Sequence, residues 1–249
     1  MPPKTRIDLL LVERGLVPSR ERARALILAG RVLANEQKIE KPGATVAPDS
    51  TLRLLGEDLR YVSRGGLKLE GALDHWSIPV EGRHCIDIGT STGGFTDCLI
   101  QRGAACVTCV DTGFGQIAMK LRNDSRVHLR ERTNARLLEP GALDSQASLL
   151  VMDVSFISAT LLLEPVFAAA PELREAIILV KPQFEAGREH IGKGGIVRDP
   201  AAHRLAVDKV SAAVVSLGWQ KVGVIPSPIA GAEGNQEFLL YAHKPDLLP

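Results

Sequence analysis

The stretch Asp-Ile-Gly-Thr-Ser-Thr-Gly-Gly-Phe at residues 87–95 decides the fold class of this chain. It closes a short apolar run and opens a helix-like segment, and a glycine-rich turn at such a junction lets backbone amides bind a nucleotide-like cofactor. Asp111 follows Gly89 by 22 positions and ends a second apolar run, where an acid can accept hydrogen bonds from a ribose diol. Together, the turn and the acid predict an α/β domain that binds a nucleotide-like cofactor.

Apolar runs and helix-like runs alternate from about residue 61 onward, which is typical of an α/β domain with a mainly parallel sheet. Seven runs are predicted to be strands, at residues 84–88, 105–110, 127–129, 148–152, 176–180, 222–226 and 237–241. The helix before the sixth strand is predicted to have Asp199 as its N-cap, Pro200 at its first position and Gly218 at its end. Seven strands are the count of a Rossmann-like, class I methyltransferase sheet.

The first 60 residues are more basic than the rest, with 11 Lys and Arg against 8 Asp and Glu in a chain whose net charge is +1. Helices are predicted at 6–15 and 19–30, the second between an N-cap Ser19 and a C-terminal Gly30, and short strands follow at 31–34 and 51–55. Arg20 and Arg24 lie four positions apart and share one helix face. Such a face is either a solvated surface or a binding site for a polyanion.

Composition indicates a cytoplasmic protein. No apolar run reaches the roughly 18 residues of a membrane span, and the best candidate, 159–170, is interrupted by Glu164 and Pro165. No secretory leader follows Met1, and four cysteines in a chain without a leader indicate reduced thiols rather than disulfides.

Cys106 and Cys109 form a C-x-x-C pattern within a predicted strand. Positions three apart on a strand point to opposite faces, and no second Cys/His pair lies nearby in sequence. We therefore expect no metal and predict that these thiols are buried and inert.

Polar residues stand where the predicted strands end, and ligands of a doubly wound sheet bind beyond the carboxyl ends of its strands. If the last strand is antiparallel, its beginning returns to the same edge. The residues expected at this edge are Asp87, Asp111, Asn134, Asp153, Lys181 and Glu237. For Asp153 and Lys181 two interpretations stay open: a structural ion pair, or a carboxylate that orients a lysine acting on a hydroxyl proton.

Four segments of the sequence resemble the haemolysin A-type (TlyA) family. They are Ser-Arg-Gly-Gly-Leu-Lys-Leu at 63–69, residues 87–97, Asp-Val-Ser-Phe-Ile-Ser at 153–158 and Lys-Pro-Gln-Phe-Glu at 181–185. That family joins an S-four RNA-binding domain to an FtsJ-like ribosomal RNA 2′-O-methyltransferase domain, and the resemblance covers nearly the whole chain. It implies a small α+β domain at 1–60 and an α/β methyltransferase domain at 61–249.

The S-four resemblance lies within about the first 55 residues. Its matching positions are Arg6-Ile7-Asp8, Gly15-Leu16, Ser19-Arg20, Ala23-Arg24, Ile27, Gly30, Val32 and Asn35. Glu36 stands where that module usually has the glycine of a hairpin turn, so the sequence departs from the pattern there. The resemblance favours RNA binding, with phosphate contacts from basic side chains.

The resemblance also implies roles for individual residues. The implied catalytic set is Lys68, Asp153, Lys181 and Glu237. S-adenosylmethionine is implied as the cofactor, bound by Asp87, Gly89, Thr90, Ser91, Gly93, Gly94, Phe95, Asp111 and Asn134. The expected RNA-binding residues are Lys4, Arg6, Arg20, Arg24, Arg31, Arg64, Arg188 and Lys193. The implied substrate is a ribose 2′-hydroxyl of ribosomal RNA in ribosomal subunits, on a cytidine and in the large subunit.

Residues 187–197 carry four glycines and several basic side chains. This loop is either a mobile lid that contacts RNA or an exposed linker.

Three other functions compete with this hypothesis. A nicotinamide-dependent oxidoreductase is disfavoured because the turn, Gly89-x-x-x-Gly93-Gly94, lacks the G-x-G-x-x-G spacing. A pore-forming or membrane-active protein is suggested by the family's name, and amphipathic insertion stays open although no spanning run is visible. A non-catalytic RNA-binding protein is disfavoured because all four catalytic positions are filled.

Overall fold

The computed structural model describes residues 4–55, 60–231 and 234–245. The chain divides into two compact units, residues 1–58 and 59–249. The expected domain boundary between residues 60 and 61 stays a prediction, and residues 56–59 beside it lie outside the described part of the chain.

The first unit is a small α+β domain, as the sequence predicts. Strands β1 and β4 form an antiparallel pair, and β2 is the centre of an antiparallel sheet of order β3-β2-β5. Ile7, Ala23, Ile27 and Val32 are fully buried between helices and sheet. The elements are β1 (Thr5–Arg6), α1 (Ile7–Glu13), α2 (Arg20–Leu28), β2 (Val32–Ala34), β3 (Gln37–Ile39), β4 (Thr45–Val46) and β5 (Leu52–Leu54).

The predicted ends of α2 are confirmed. Ser19 Oγ accepts a hydrogen bond from the backbone N–H of Arg22 at 3.2 Å, and Gly30 follows the helix with φ +65°. Strand β3 was not predicted, and its hairpin with β2 turns through Asn35 and Glu36, whose φ values are 50° and 63°. Both central residues of a type I′ turn need positive φ, so this hairpin forms with glutamate where glycine is the unstrained choice.

The second unit is an α/β domain around a seven-stranded sheet of order β11-β12-β10-β9-β6-β7-β8. All strands are parallel except β12, which is antiparallel to both β10 and β11. The predicted class I fold with a mainly parallel sheet is confirmed. The strands are β6 (His84–Ile88), β7 (Cys106–Val110), β8 (Val127–Arg130), β9 (Ala147–Met152), β10 (Glu175–Val180), β11 (Gln220–Pro226) and β12 (Phe238–His243).

Helices cover both faces of this sheet. One apolar cluster packs α6 and α8 on one face, and a second packs α3, α4 and α5 on the other. Consecutive strand residues such as Leu149 and Leu150 belong to opposite clusters because side chains alternate along a strand. The helices are α3 (Gly65–His75), α4 (Gly94–Gln101), α5 (Met119–Arg122), α6 (Thr160–Ala169), α7 (Pro182–Glu185) and α8 (Pro200–Ser216).

Helix α8 has the predicted ends. Asp199 Oδ1 accepts a hydrogen bond from the N–H of Ala201 at 2.8 Å, Pro200 is the first residue of the helix, and Gly218 follows it with φ +81°.

The sheet topology sets where the polar strand ends meet. Strands β6, β9 and β10 run parallel, so Asp153 and Lys181, which follow β9 and β10, lie at the same edge as the glycine turn after β6. Because β12 is antiparallel and Phe238 pairs with Val180, Glu237 also begins at this edge, as expected. Within the described ranges no helix is long and apolar enough to cross a lipid bilayer.

Candidate active site

Two lysine–carboxylate pairs lie at one cavity beyond the carboxyl ends of the strands. Lys181 Nζ is 2.6 Å from Asp153 Oδ1 and donates a hydrogen bond to Ser155 Oγ at 2.7 Å. Lys68 on α3 forms an ion pair with Glu237 Oε2. Lys68, Asp153 and Lys181 line a cavity of about 300 Å³, and Glu237 lies behind Lys68. The structure thus brings the four expected catalytic residues together.

Both lysines of this cavity are nearly buried. Lys68 and Lys181 are each 8% exposed, and Glu237 is 2% exposed. Buried charges are retained only when they are paired, so each carboxylate holds its lysine in place as well as balancing its charge. A Cβ atom on Gly231 would overlap the Glu237 carboxylate. A side chain at position 231 would therefore displace the Glu237 carboxylate from its present position.

A second cavity of about 430 Å³ adjoins the first and contains the expected cofactor-binding acid. The two cavities share Gly89, Ser91, Asp153 and Ser155 in their linings, so they form one continuous cleft. Asp111 accepts a hydrogen bond from the N–H of Ser91 at 2.7 Å. This contact joins the acid after β7 to the glycine turn after β6.

The glycine turn is shaped by close backbone approach. Gly89 has φ +84°, and a Cβ atom there would overlap the carbonyl oxygen of Asp153. A Cβ atom on Gly94 would overlap Ser63 Oγ. Gly94 and Phe95 line the smaller cavity as the first residues of α4, where a helix offers free N–H groups.

Seven of the nine expected cofactor-binding residues line the cleft, and two do not. The seven are Gly89, Thr90, Ser91, Gly94, Phe95, Asp111 and Asn134. The other two, Asp87 and Gly93, are absent from both linings. Gly93 has φ +95° and packs so closely on Leu121 that a side chain would overlap it. Gly93 therefore fixes the turn on the side that packs against Leu121 and does not line the cleft.

Asp87 is fully buried under the glycine turn. Its Oδ2 accepts a hydrogen bond from Thr96 Oγ1 at 2.6 Å, while no donor among the described residues reaches Oδ1. Burial raises the pKa of Asp87 to about 7, against the lowering effect of the Thr96 hydrogen bond, and the nearby Asp153 raises it further. Asp87 therefore supports the turn without facing the cleft.

Sequence reasoning missed Ser155 and Glu185. Ser155 lines both cavities and accepts the Lys181 hydrogen bond, and the only signal for it was its place in the 153–158 motif. Glu185 is 5% exposed and accepts a hydrogen bond from the N–H of Ala159 at 2.6 Å. It fixes the start of α6 and with it the loop that carries Asp153 and Ser155.

Phe156 is a highly exposed aromatic side chain beside the cleft. It lines the larger cavity, is 92% exposed and has φ 65°, a conformation that residues other than glycine rarely adopt. Its ring centroid lies 5.4 Å from that of Phe184. The pair offers an aromatic surface beside Asp153 and Ser155.

The loop at 187–197 is held to the segment that leads to Glu237. Asn235 is 2% exposed, its Oδ1 accepts from the N–H of Val197 at 3.0 Å, and its Nδ2 donates to the carbonyl of Gly195 at 2.9 Å. Its own carbonyl accepts from the N–H of Gly231 at 2.8 Å. Arg188 and Lys193 of the loop are exposed. The loop is therefore anchored at one end, and Asn235 is a further residue that sequence reasoning missed.

The expected RNA-binding residues of the first unit differ in their surroundings. Arg6 and Arg20 both pair with the fully buried Asp8, at 2.9 and 3.0 Å, and are 48% and 49% exposed. The hydrogen bond from Arg6 lowers the pKa of Asp8 to about 2, against burial and with help from Arg20. Lys4 and Arg24 are exposed.

Two expected RNA-binding arginines donate hydrogen bonds to backbone carbonyls. Arg31 Nε donates to the carbonyl of Leu55 at 2.7 Å. In the second unit, Arg64 Nη2 donates to the carbonyl of Ala230 at 2.8 Å, and Arg64 lines the smaller cavity. Arg64 is thus the expected RNA-binding residue that lies at the two lysine–carboxylate pairs.

Known proteins resemble this chain over nearly its full length. A provisionally named rRNA methyltransferase of Bacillus subtilis, YqxC, is 47% identical over 97% of this chain and 86% of the relative. The 16S/23S rRNA (cytidine-2′-O)-methyltransferase TlyA of Mycobacterium tuberculosis is 44% identical over 96% of this chain and 89% of the relative. The solved structure of a provisionally named haemolysin of Streptococcus thermophilus is 44% identical, with a TM-score of 0.75 over 99% of this chain and 90% of that chain.

Two families match separate parts of the sequence. Residues 5–52 match the S4 (S-four) domain, and residues 61–244 match the FtsJ-like methyltransferase family. The resemblance to haemolysin A-type enzymes and the interpretation as a methyltransferase are confirmed. The chain belongs to the FtsJ-like methyltransferases, in the branch that carries an S4 domain before the methyltransferase domain.

Proposed function

We propose that this chain transfers the methyl group of S-adenosylmethionine to a ribose 2′-hydroxyl of ribosomal RNA, on a cytidine of the large subunit. The observation that carries the proposal is the pair of buried lysine–carboxylate contacts at a cavity that opens into the glycine-turn cavity. We assign residues 1–60 to the S4 domain and residues 61–249 to the methyltransferase domain.

The cleft suits S-adenosylmethionine in shape and in chemistry. Its two parts have volumes typical of small-molecule sites, and the bare backbone at Gly89 leaves room for a ligand against the sheet. Asp111, fixed by backbone N–H groups of Ser91 and Gly113, retains lone pairs for the ribose diol. Asn134 lines the same cavity and would contact the adenine. When bound, the cofactor supplies an electrophilic methyl group on a sulfonium.

Lys181 is the residue that we assign to the reacting hydroxyl. Asp153 and Ser155 hold its Nζ at hydrogen-bond distance, which leaves one of its donors for the 2′-oxygen of the substrate. As an ammonium it stabilises the negative charge that develops on that oxygen, and as a neutral amine it accepts the proton. In the charged form of Lys181 the hydroxyl proton would pass to solvent water, and in either form the products would be the methylated oxygen and the neutral thioether of the cofactor.

Positioning provides most of the rate acceleration in this proposal, because holding the reacting atoms in line removes much of the entropic barrier. Lys68 lines the same cavity, and Glu237 behind it balances the lysine charge and holds the lysine in place, so the cavity stays polar. Arg64, at the rim of the cavity, would contact a phosphate next to the target nucleotide.

Basic residues outside the cleft provide the affinity for RNA. We assign phosphate contacts to basic residues of the first unit and of the 187–197 loop. They are the exposed Lys4 and Arg24, the half-exposed Arg6 and Arg20, Arg31, and the exposed Arg188 and Lys193. The name of the M. tuberculosis relative supports ribosomal RNA and a cytidine target. That name covers both subunits, so both must be tested even though we expect the large subunit.

The test is to incubate the full chain with methyl-labelled S-adenosylmethionine and separated ribosomal subunits. We expect label in large-subunit RNA, and one linkage there should become resistant to alkali because a methylated 2′-oxygen cannot attack the adjacent phosphodiester. Label confined to small-subunit RNA would overturn the subunit assignment. Label on a base, or no label in either RNA, would overturn the proposed reaction.

The name of the S. thermophilus structure suggests a second candidate, a membrane-active protein. Release of a dye from lipid vesicles by the same preparation tests it. Release that persists in a variant without methyl transfer would favour the membrane-active function, whereas intact vesicles would contradict it.

A further inference from the structure

A cluster of metal-ligating side chains lies at the opposite edge of the sheet from the methyltransferase cleft. His84 begins β6, Cys106 begins β7, and Asp144 precedes β9. One nitrogen, the sulfur and one carboxylate oxygen of these residues all lie within 4.8 Å of one another. The cleft uses the carboxyl ends of the parallel strands, whereas this cluster uses their amino ends.

Strand register explains why the cluster forms. His84 and Cys106 are directly paired across β6 and β7, and His128 is paired with Thr108, two positions after Cys106. Side chains on paired positions, and on positions two apart, share one face of a sheet. His84, Cys106 and His128 therefore face the same side. Cys109 is three positions after Cys106 and therefore faces the other side of the sheet, where its sulfur lies 3.2 Å from Thr96 Oγ1 under helix α4.

The distances are close to those that a tetrahedral zinc ion requires. Bonds of about 2.3 Å to sulfur and about 2.0 Å to nitrogen place those two ligand atoms roughly 3.6 Å apart. Cys106 Sγ and His128 Nδ1 are 3.5 Å apart. His84 Nδ1 and Asp144 Oδ2 are 2.7 Å apart and hydrogen bonded, so they must separate by less than about 1 Å to share an ion.

The surroundings allow an ion to enter and hold the carboxylate in place. His84, Cys106, His128 and Asp144 all line a surface groove of about 660 Å³. Asp144 Oδ1 accepts a hydrogen bond from the N–H of Gln146 at 2.9 Å, which leaves Oδ2 at His84. Two arginines also line the groove, Arg126 and Arg130, and the charge of Arg126 is balanced by Asp124 at 2.7 Å.

We propose that His84, Cys106 and Asp144 bind a zinc ion, with the exposed His128 turning to become the fourth ligand. Two imidazoles, one thiolate and one carboxylate are ligand types that zinc accepts in a four-coordinate structural site. Binding releases the thiol proton of Cys106 to solvent. The ion joins the amino ends of three neighbouring strands to the turn before β9 and thereby stabilises the sheet. The expectation of no metal rested on Cys109, which lies on the other face, and on the lack of a second Cys/His pair nearby in sequence, whereas the sheet brings together His84, His128 and Asp144 from distant positions.

Cobalt is a suitable probe because a cobalt–thiolate bond absorbs in the near ultraviolet. The full chain, stripped with a chelator, is titrated with Co²⁺ and then with Zn²⁺. We expect one cobalt per chain with a thiolate charge-transfer band, loss of that band when zinc is added, and a melting temperature several degrees higher with zinc. Uptake well below one equivalent, or uptake without the thiolate band, would overturn the proposal.

Single substitutions locate the ion. Cys106→Ser should abolish the charge-transfer band, and Cys109→Ser, the matched change on the opposite face, should keep it. His84→Gln should weaken cobalt binding at least tenfold. If Cys106→Ser does not fold, the number of cobalt ions bound per wild-type chain and the cobalt affinity of His84→Gln still test the proposal. A band that survives Cys106→Ser, or one that disappears in Cys109→Ser alone, would contradict the assignment.

Discussion

Loss of one charge from the buried Lys68–Glu237 pair should destabilise the methyltransferase unit strongly. Lys68 is 8% exposed and Glu237 is 2% exposed. Breaking such a pair leaves a buried charge without its partner, which costs about 3–5 kcal/mol. Lys68→Met removes the ammonium and nearly keeps the volume of the side chain. We therefore expect it to lower the free energy of unfolding by about that amount.

A matched control is available on the surface of the same unit. Arg174 and Glu172 are 3.2 Å apart, with side chains 48% and 59% exposed. Solvent screens such pairs, so Arg174→Met should lower the free energy of unfolding by less than about 1 kcal/mol. The contrast between the two substitutions separates the effect of burial from the loss of an ion pair as such.

Urea unfolding followed by tryptophan fluorescence measures this difference. The two tryptophans of the chain, Trp76 and Trp219, both belong to the second unit, so the signal reports on that unit alone. The double variant Lys68→Met, Glu237→Gln should lose less than the sum of its single variants, because the second change removes the charge that the first leaves unpaired. Additive losses, or a Lys68→Met loss no larger than that of Arg174→Met, would refute the reasoning.

Three further substitutions test the turn, its buried acid and the loop anchor. Gly89→Ala should weaken S-adenosylmethionine binding at least tenfold, measured by calorimetry, because the added Cβ would overlap Asp153. The control Gly141→Ala changes another glycine of positive φ, but one with open space around it, and should bind the cofactor normally. Equal cofactor affinities of the two variants would contradict the account. Burial raises the pKa of Asp87 to about 7, so the folded state keeps a proton that the unfolded state loses near pH 4. The free energy of unfolding of the wild type should therefore fall between about pH 4 and 7, by at most on the order of 4 kcal/mol. Asp87→Asn has no such titration, so the free energy of unfolding of this variant relative to wild type should rise from pH 4 to pH 7 in urea titrations. A difference between the two proteins that does not change with pH would contradict this prediction. Asn235→Ala should raise the KM for RNA several-fold with cofactor affinity unchanged, and an unchanged KM would show that anchoring the loop is unimportant.

The long elements of the fold were predictable because their signals are local. Strand β6 was predicted at its observed bounds, and helix α8 at its observed start, since apolar runs and caps mark these ends. Strands β1, β3 and β4 were missed because they have only two or three residues and no apolar run. Such strands exist only because a partner strand pairs with them.

The candidate site was predictable only in part, because it is assembled from distant residues. Asp153 and Lys181 could be expected at one edge from the end points of parallel strands. Lys68 and Glu237 lie 169 positions apart and were expected only from the family resemblance.

The remaining site residues depend on three-dimensional contacts that spacing does not reveal. Asp87 and Gly93 stand in the glycine motif, yet they support the turn from behind instead of lining the cleft. Asn235 anchors a loop 40 positions away through its side chain.

The most direct test of the central claim compares cofactor binding and methyl transfer in one variant. Lys181→Ala removes the amine that we assign to the ribose hydroxyl, while Gly89, Ser91 and Asp111 stay in place. We predict near-normal binding of S-adenosylmethionine by calorimetry and loss of methyl transfer to large-subunit RNA, with the exposed-lysine control Lys221→Ala as active as wild type. Turnover by Lys181→Ala at a rate close to that of Lys221→Ala would contradict the account.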